Sequence, residues 1–412
     1  MDVQRFTQIL RDPHFCNLKK MQYKYSQADV EACLVELRAS HYLPLPLRDF
    51  KGQKLVYLPQ LVQVKPTSLK LLYSPIAEGQ NYSAEAMEEE IFDSLRIENI
   101  SANRASLRKI VTGSSSQFDP CPAQGQEAEK AQASPALLQG MKEALDLISQ
   151  PSYKINTQNL HQLYQLAIGP GLSPEKQLPE GSFYRDDEVY VVGNRMGSHV
   201  HRGLAAEKLP SYMADFLAFA QEEDEWDPLL KAAVLHFYLA YLHPYFDGNG
   251  RTARLFHLWY LVQAGFPASL FVSFSSYIEA SKKAYYQAFQ LIEQNQKISG
   301  VLDVSPFLTY FVDQVYNRLP QSLPAPRTLD SYQALLRAGQ ITAKERDLWN
   351  FILSFYGFAD FSSKELERDF GQAAYATIYK FLKKFTRFQL LIQTDFSSRP
   401  RYKVKSSSDP VG

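Results

Sequence analysis

The chain has 412 residues, 45% of them apolar and 21% charged, which is too long and too apolar for a disordered segment or a small disulfide-stapled scaffold and is enough for about two or three globular units. Lysine plus arginine and aspartate plus glutamate each number 44, so the formal net charge is zero, which argues against a whole-chain polyanion binder; any contact with nucleic acid has to be local. The three cysteines, Cys16, Cys33 and Cys121, are odd in number and lack metal-ligand spacing, which argues against a disulfide framework or a zinc site and fits a reducing compartment.

The first residues, MDVQRFTQILRDPHF, carry acidic and polar side chains where an export signal needs an unbroken apolar run, so a cytoplasmic protein is expected. From Met1 to about Leu72, the proline-punctuated Leu43 to Leu47 and the alternating Lys54-Leu55-Val56-Tyr57-Leu58 predict a small helix-and-hairpin subdomain. Ser83 to Thr112 has rough helical spacing, with Gly113 as a stop, and completes an N-terminal region over residues 1–112. Within it, Ser94 and Glu98 stand at i and i+4, the spacing of a hydrogen-bonded surface pair. Residues 113–134 are rich in Ser, Gln, Pro, Gly and Ala, the composition of a mobile surface loop.

Helical patterns then recur at Pro135 to Ile148, Thr157 to Ala167, Leu209 to Ala220, Pro228 to Leu242, Thr252 to Ala264, Ser276 to Gln296 and Val304 to Leu319, which predicts a mainly α core over residues 135–319. One β-prone run interrupts it: Val189, Tyr190, Val191 and Val192, closed by Gly193-Asn194, read as a small hairpin flap. The apolar stretch from Leu255 to Phe274 is divided by Gln263 and Gly265-Phe266-Pro267 into pieces too short to span a bilayer, so no membrane partner is expected. His199, His201 and His236 lack a third ligand at metal spacing and read as hydrogen-bonded or exposed histidines.

Pro320, Pro324 and Pro326 mark a linker over residues 320–340. Beyond it, residues 341–412 show helical spacing at Ala343 to Phe355, a capping-box pair at Ser362 and Glu365, a helix from about Ala374 to Arg387, and two strand-like runs, the order of a winged helix. Lys380, Lys383, Lys384 and Arg387 make its third helix basic, suiting contact with DNA or with a protein.

The chemistry is concentrated in His243-Pro244-Tyr245-Phe246-Asp247-Gly248-Asn249-Gly250-Arg251-Thr252-Ala253-Arg254, between two apolar helices. Gly248 and Gly250 permit positive dihedrals and close backbone approach, so this turn can form an anion nest at a helix N-terminus. Arg251 and Arg254 oppose the helix dipole there, a cost that makes sense if neighbouring phosphates sit between their guanidinium forks. Asp247 is a hard oxygen ligand suited to Mg²⁺ bridging two phosphates, and His243, with an ordinary pKa of about 6.5, can take a proton near neutral pH. Together these are the parts that phosphoryl or nucleotidyl transfer needs.

The segment HPYFDGNGRTAR resembles the signature of the Fic (filamentation induced by cAMP) domain, HPFx[DE]GNGRxxR, departing only at Tyr245, where the family usually has Phe. The resemblance extends to Gly181-Ser182-Phe183-Tyr184-Arg185 and the flap after it, to the helix ending in Gly-Phe-Pro, and to Tyr277-Ile278-Glu279 with Tyr285-Tyr286, roughly the middle half of the chain. It implies a helical Fic-type core with a β-hairpin flap and transfer of AMP from ATP to a Ser, Thr or Tyr hydroxyl of a target protein, with Mg²⁺ as cofactor. His243 is implied as the base, Asp247 as the metal carboxylate, Gly248, Asn249 and Gly250 as the α-phosphate cradle, and Arg251 and Arg254 as holders of the β- and γ-phosphates. The flap from Val189 to Val192 would register the target by strand addition.

Upstream, Ser94-Leu95-Arg96-Ile97-Glu98-Asn99 resembles the inhibitory motif [ST]xxxE[GN] of N-terminally autoinhibited Fic proteins, which implies Ser94, Glu98 and Asn99 as inhibitory residues, with Glu98 taking Arg254 from the γ-phosphate. Self-modification and a homodimer are further expectations. The alternatives are a DNA-binding or scaffold regulator whose Fic pocket senses nucleotide, and a Fic enzyme that uses another nucleotide or removes AMP.

Overall fold

The computed structural model describes residues 2–65, 84–112, 132–192, 200–319, 332, 335–336, 338–356, 360–395 and 400–405. The loop expected at 113–134 and the linker expected at 320–340 fall largely outside them, as does His199. Among the described residues the architecture is mainly helical, with three small antiparallel sheets. Among the described residues no helix is long and apolar enough to cross a membrane. Two compact units interleave three chain segments each: Met1–Lys65, Lys154–Ala264 and Tyr277–Arg318 form the first, and Pro66–Tyr153, Gly265–Ser276 and Leu319–Gly412 the second.

In the first unit the helix Pro228–Leu242 is central. Asp227 caps it, accepting the N–H groups of Leu229 at 2.8 Å and Leu230 at 3.2 Å, and Pro228 supplies a first-turn residue that needs no N–H partner. Its sides are nearly all buried, which is why its composition is apolar around the whole circumference. It packs beside the helix Asn249–Gln263, and the two present Phe237, Phe256 and Trp259 to the core. Two histidines are buried there with tyrosine partners: His236 Nε2 meets the Tyr285 hydroxyl at 2.9 Å, and His257 Nε2 meets that of Tyr316 at 2.8 Å. Burial drives the His257 pKa down to about 3, so it stays neutral and structural.

The hairpin of Leu43–Arg48 with Lys54–Tyr57 is turned by Asp49, whose Oδ1 accepts the N–H groups of Lys51 and Gln53, and by Gly52 at φ 82°. The Tyr238 hydroxyl donates to the Arg48 carbonyl at 2.7 Å, which fastens the hairpin to the central helix.

In the second unit, Ala84–Ile97 ends in a turn where Asn99 adopts φ 59°, and the Ile100 N–H returns to the Leu95 carbonyl at 3.0 Å, a left-handed helix stop. Ser94 is buried on the helix, while Glu98 lies in the turn just past it, one residue beyond the helical span that the i, i+4 pairing assumed.

Toward the C-terminus, helices Ala343–Phe355, Ser363–Phe370 and Tyr375–Arg387 pack with a three-stranded sheet ordered Phe361–Ser362, Arg401–Val404, Leu391–Asp395, around Trp349, Phe361, Leu366 and Phe385. Ser362 and Glu365 form a reciprocal capping box, and Gly371 at φ 65° ends that helix.

Candidate active site

The central helix stops because His243, directly after Leu242, takes a left-handed conformation at φ 55° and ψ 61°. Such a geometry is uncommon for a residue with a Cβ and costs on the order of 1 kcal/mol, so the surroundings must hold it. Arg185 does this. Its N–H donates to the Pro244 carbonyl at 3.0 Å and its Nε to the His243 carbonyl at 2.8 Å, and its two terminal nitrogens reach the carbonyls of Asp187 and Leu204. One guanidinium, 2% exposed, therefore ties the His243 turn to both sides of the flap base. Burial pulls its pKa below the ordinary value, with Asp187 and Glu188 opposing. Gly203 is required by this knot, since a Cβ there would lie 2.7 Å from an Arg185 nitrogen and 3.2 Å from the His243 Cβ.

The His243 ring has Nδ1 3.2 Å from the Ala240 carbonyl oxygen. A carbonyl only accepts, so the neutral ring carries its proton on Nδ1 and keeps its lone pair on Nε2, the tautomer of a base.

After His243 the chain turns on Tyr245, Asn249 and Gly248. Asn249, 2% exposed, uses its whole side chain inside the loop: Oδ1 accepts the Tyr245 N–H at 2.9 Å and Nδ2 donates to the Tyr245 carbonyl at 2.8 Å. Its side chain is thus a clasp, and a phosphate-cradling part would fall to its backbone. Gly248 sits at φ 79° as the N-cap of Asn249–Gln263, and a Cβ there would lie 2.3 Å from Ile168 Cγ2. The Thr252 hydroxyl and N–H both donate to the Gly248 carbonyl at 2.9 Å. The helix therefore starts at Asn249, three residues earlier than the apolar spacing predicts, and its first-turn N–H groups lack carbonyl partners within the helix, the donor set an anion takes. Arg251 and Arg254, 4% and 3% exposed, follow on this turn.

Tyr245 stacks on Tyr164 with ring centroids 3.8 Å apart and is fully buried, and among the described residues its hydroxyl has no hydrogen-bond partner. Burying such a group costs about 1–3 kcal/mol. Tyr245→Phe is therefore expected to raise the unfolding free energy by about 1 kcal/mol in a denaturant titration without disturbing the turn.

Asp247 is fixed on both oxygens. Oδ1 accepts the Gly248 N–H at 2.6 Å and lies 3.6 Å from an Arg251 nitrogen, and Oδ2 accepts the Lys176 ammonium at 2.7 Å. Burial works to raise the carboxyl pKa, but Lys176, Arg251 and the Gly248 N–H outweigh it and hold the group below its ordinary value, ionised. Among the described residues no cluster of three or more His, Cys, Asp or Glu could hold a metal. A single ionised carboxylate does fit Mg²⁺, which is commonly held by one or two carboxylates together with substrate phosphates and water.

The flap consists of Tyr190–Val192 paired antiparallel with Val200–Arg202, and Val189, at its edge, accepts the Gly203 N–H. His201 Nε2 lies 2.8 Å from the Tyr241 carbonyl and Nδ1 2.5 Å from Glu293, so the second flap strand is bound to the last turn of the central helix. Its ring centroid stands 6.4 Å from that of His243.

One unit thus brings together His243, Asp247, Gly248, Asn249, Gly250, Arg251, Arg254 and the flap residues Val189 to Val192; Ser94, Glu98 and Asn99 lie in the other. Sequence reasoning missed Lys176, whose partner is 71 positions away and whose short proline turn carries no motif. Arg185 was visible as part of the resemblance, but its role as a backbone anchor was not.

A family model described as Fic/DOC family matches residues 154–261. The chain is 28% identical over 134 residues to a protein adenylyltransferase Fic of Drosophila grimshawi, covering 32% of this chain and 24% of that protein. It is 27% identical over 167 residues to a protein adenylyltransferase Fic of Drosophila yakuba, covering 40% and 30%. The matches therefore span less than a third of those relatives' own lengths. Among solved structures, a Fic family protein from Desulfovibrio desulfuricans G20 aligns over 84% of this chain and 98% of its own at 18% identity and a TM-score of 0.47, and Fic-1 (aa134–508) of C. elegans over 61% and 66% at 17% and 0.40.

Proposed function

We propose, from the premise that residues 154–261 form a Fic/DOC family domain, that this protein is an adenylyltransferase moving AMP from ATP to a hydroxyl side chain of a target protein. The supporting observation is the His243 turn, where a tautomer-fixed imidazole, an ionised Asp247 and two buried arginines meet at one glycine-built helix N-terminus.

In this reading His243 Nε2 accepts the proton of the target hydroxyl as its oxygen bonds to the α-phosphorus. The bond from that phosphorus to the α–β bridging oxygen breaks, and pyrophosphate leaves with the electron pair. The first-turn N–H groups of Asn249–Gln263 take the α-phosphate oxygens, and Arg251 and Arg254 take the charge of the β- and γ-phosphates. Mg²⁺, held by Asp247 together with the nucleotide, would neutralise phosphate charge. Tyr190 to Val192 offer the strand along which the target chain adds.

Glu98, in the turn that closes Ala84–Ile97, is the restraining carboxylate in this reading, with Ser94 and Asn99 shaping its turn. Glu98→Gly is therefore expected to raise AMP transfer at least several-fold over the unchanged chain. Intact-mass spectra after incubation with ATP and Mg²⁺, and in parallel with GTP and UTP, check both the release and the choice of nucleotide. An inert Glu98→Gly protein would sink the inhibitory role.

A second reading, a regulator that docks through its C-terminal region, is favoured by one observation: Tyr375–Arg387 exposes Tyr375, Tyr379, Lys380, Lys383 and Arg387, and carries no acidic residue, a face suited to DNA.

A further inference from the structure

The Asp247 carboxylate already holds a cation. Lys176 ends the short turn Pro174–Lys176, whose backbone is closed by the Lys176 N–H donating to the Ser173 carbonyl at 2.9 Å, with the Ser173 hydroxyl donating to the Glu175 carboxylate at 2.6 Å beside it. From that fixed base its ammonium reaches Asp247 Oδ2 at 2.7 Å, while Oδ1 is occupied by the Gly248 N–H and faced by Arg251. A divalent ion seeking this carboxylate would meet the ammonium on the one oxygen that the loop backbone does not already use. Two cations cannot share that oxygen closely without repulsion.

We propose that Lys176 is a stand-in for the metal at Asp247: it holds the carboxylate in the nucleotide-free protein, excludes a lone divalent ion, and moves to a phosphate oxygen when a triphosphate arrives, so that metal and nucleotide load together. This rests on the metal role proposed above for Asp247. The exchange is feasible because the Lys176 side chain is 48% exposed and that of Asp247 38%. A pair so open to water is weak, and a four-carbon stem changes partner at little cost. A triphosphate at the first turn of Asn249–Gln263 supplies the replacement acceptors. Lys176 is thus a positioning residue for the carboxylate when the site is empty and a ligand for the phosphates when it is filled.

The test measures Mn²⁺ bound to the full-length chain by the loss of its free electron-spin resonance signal, with and without α,β-methylene-ATP. Without nucleotide, Lys176→Met is expected to bind Mn²⁺ about fivefold more tightly than the unchanged chain, the size of an exposed ion pair's contribution, with Lys176→Arg close to the unchanged chain. With α,β-methylene-ATP present that advantage disappears, because Lys176 has already left. Lys176→Met binding Mn²⁺ no more tightly than the unchanged chain, while Asp247→Asn weakens both, would overturn the stand-in role alone. Mn²⁺ binding indifferent to Asp247→Asn would instead overturn the metal role on which it rests.

Discussion

His243→Ala is expected to lower AMP transfer by about 10²- to 10⁴-fold, the usual contribution of a positioned general base, while ATP binding and the unfolding midpoint stay close to those of the unchanged chain. The imidazole is only partly buried, and its Nδ1 lies 3.2 Å from the Ala240 carbonyl oxygen, a backbone group that water can satisfy once the ring is removed. The left-handed turn is held by Arg185 on the His243 and Pro244 carbonyls, and both contacts survive because they use the backbone. Loss of turnover with retained nucleotide binding is what a proton acceptor predicts. Single-turnover transfer from labelled ATP, with nucleotide binding and a thermal melt on the same sample, checks all three quantities.

Gly248→Ala is expected to remove transfer and to destabilise the fold together. At φ 79° a Cβ brings backbone strain of about 1–2 kcal/mol. That atom would also lie 2.3 Å from Ile168 Cγ2 and within about 3 Å of two further Ile168 carbons. Ile168 is fully buried and β-branched, so it cannot swing aside, and forcing it costs about 1–3 kcal/mol. A combined loss of roughly 2–5 kcal/mol should appear in denaturant unfolding. Any population that remains folded would have lost the site, because the Asp247 carboxylate, the Thr252 cap and the first-turn N–H groups all hang on the Gly248 backbone. Ile168→Ala leaves a cavity of its own but removes the clash, so the double variant should lose less stability than the two single losses added together.

Much of this was legible in the residues themselves. The limits of Pro228–Leu242 follow from an Asp-Pro start and an apolar run interrupted only by Lys231 and His236, and the Ser362–Glu365 capping box follows from two residue types at the right spacing. The helix bearing the arginines starts at Asn249 rather than Thr252, because glycines that read as loop can cap a helix when one of them goes left-handed.

The run from Ser276 to Gln296 reads as one helix but breaks into Phe274–Ala280 and Lys282–Ser299, where the Ser281 hydroxyl bonds back to the Tyr277 carbonyl and meets the Tyr310 hydroxyl at 2.8 Å. Likewise the helix expected from Val304 to Leu319 widens into a π turn over Phe311–Val315 and tightens over Tyr316–Arg318, a change of winding that leaves no mark on the apolar spacing. The interleaving of three segments in each compact unit is also invisible to a chain-order reading.

At the site, one dozen contiguous residues carry the candidate chemistry and could be found by motif. Lys176 could not, since its meaning lies wholly in a contact across 71 positions. The Asn249 side chain shows the converse: a residue expected at the phosphates spends its amide on the Tyr245 backbone.

The most direct measurement supplies ATP labelled either at the α- or at the γ-phosphorus to the Glu98→Gly chain with Mg²⁺ and an extract of candidate target proteins. Nucleotidyl transfer through the His243 turn predicts protein-bound label from the α position only, absent when His243→Ala is added. Label arriving from the γ position, or α-label that persists without the imidazole, would contradict the account.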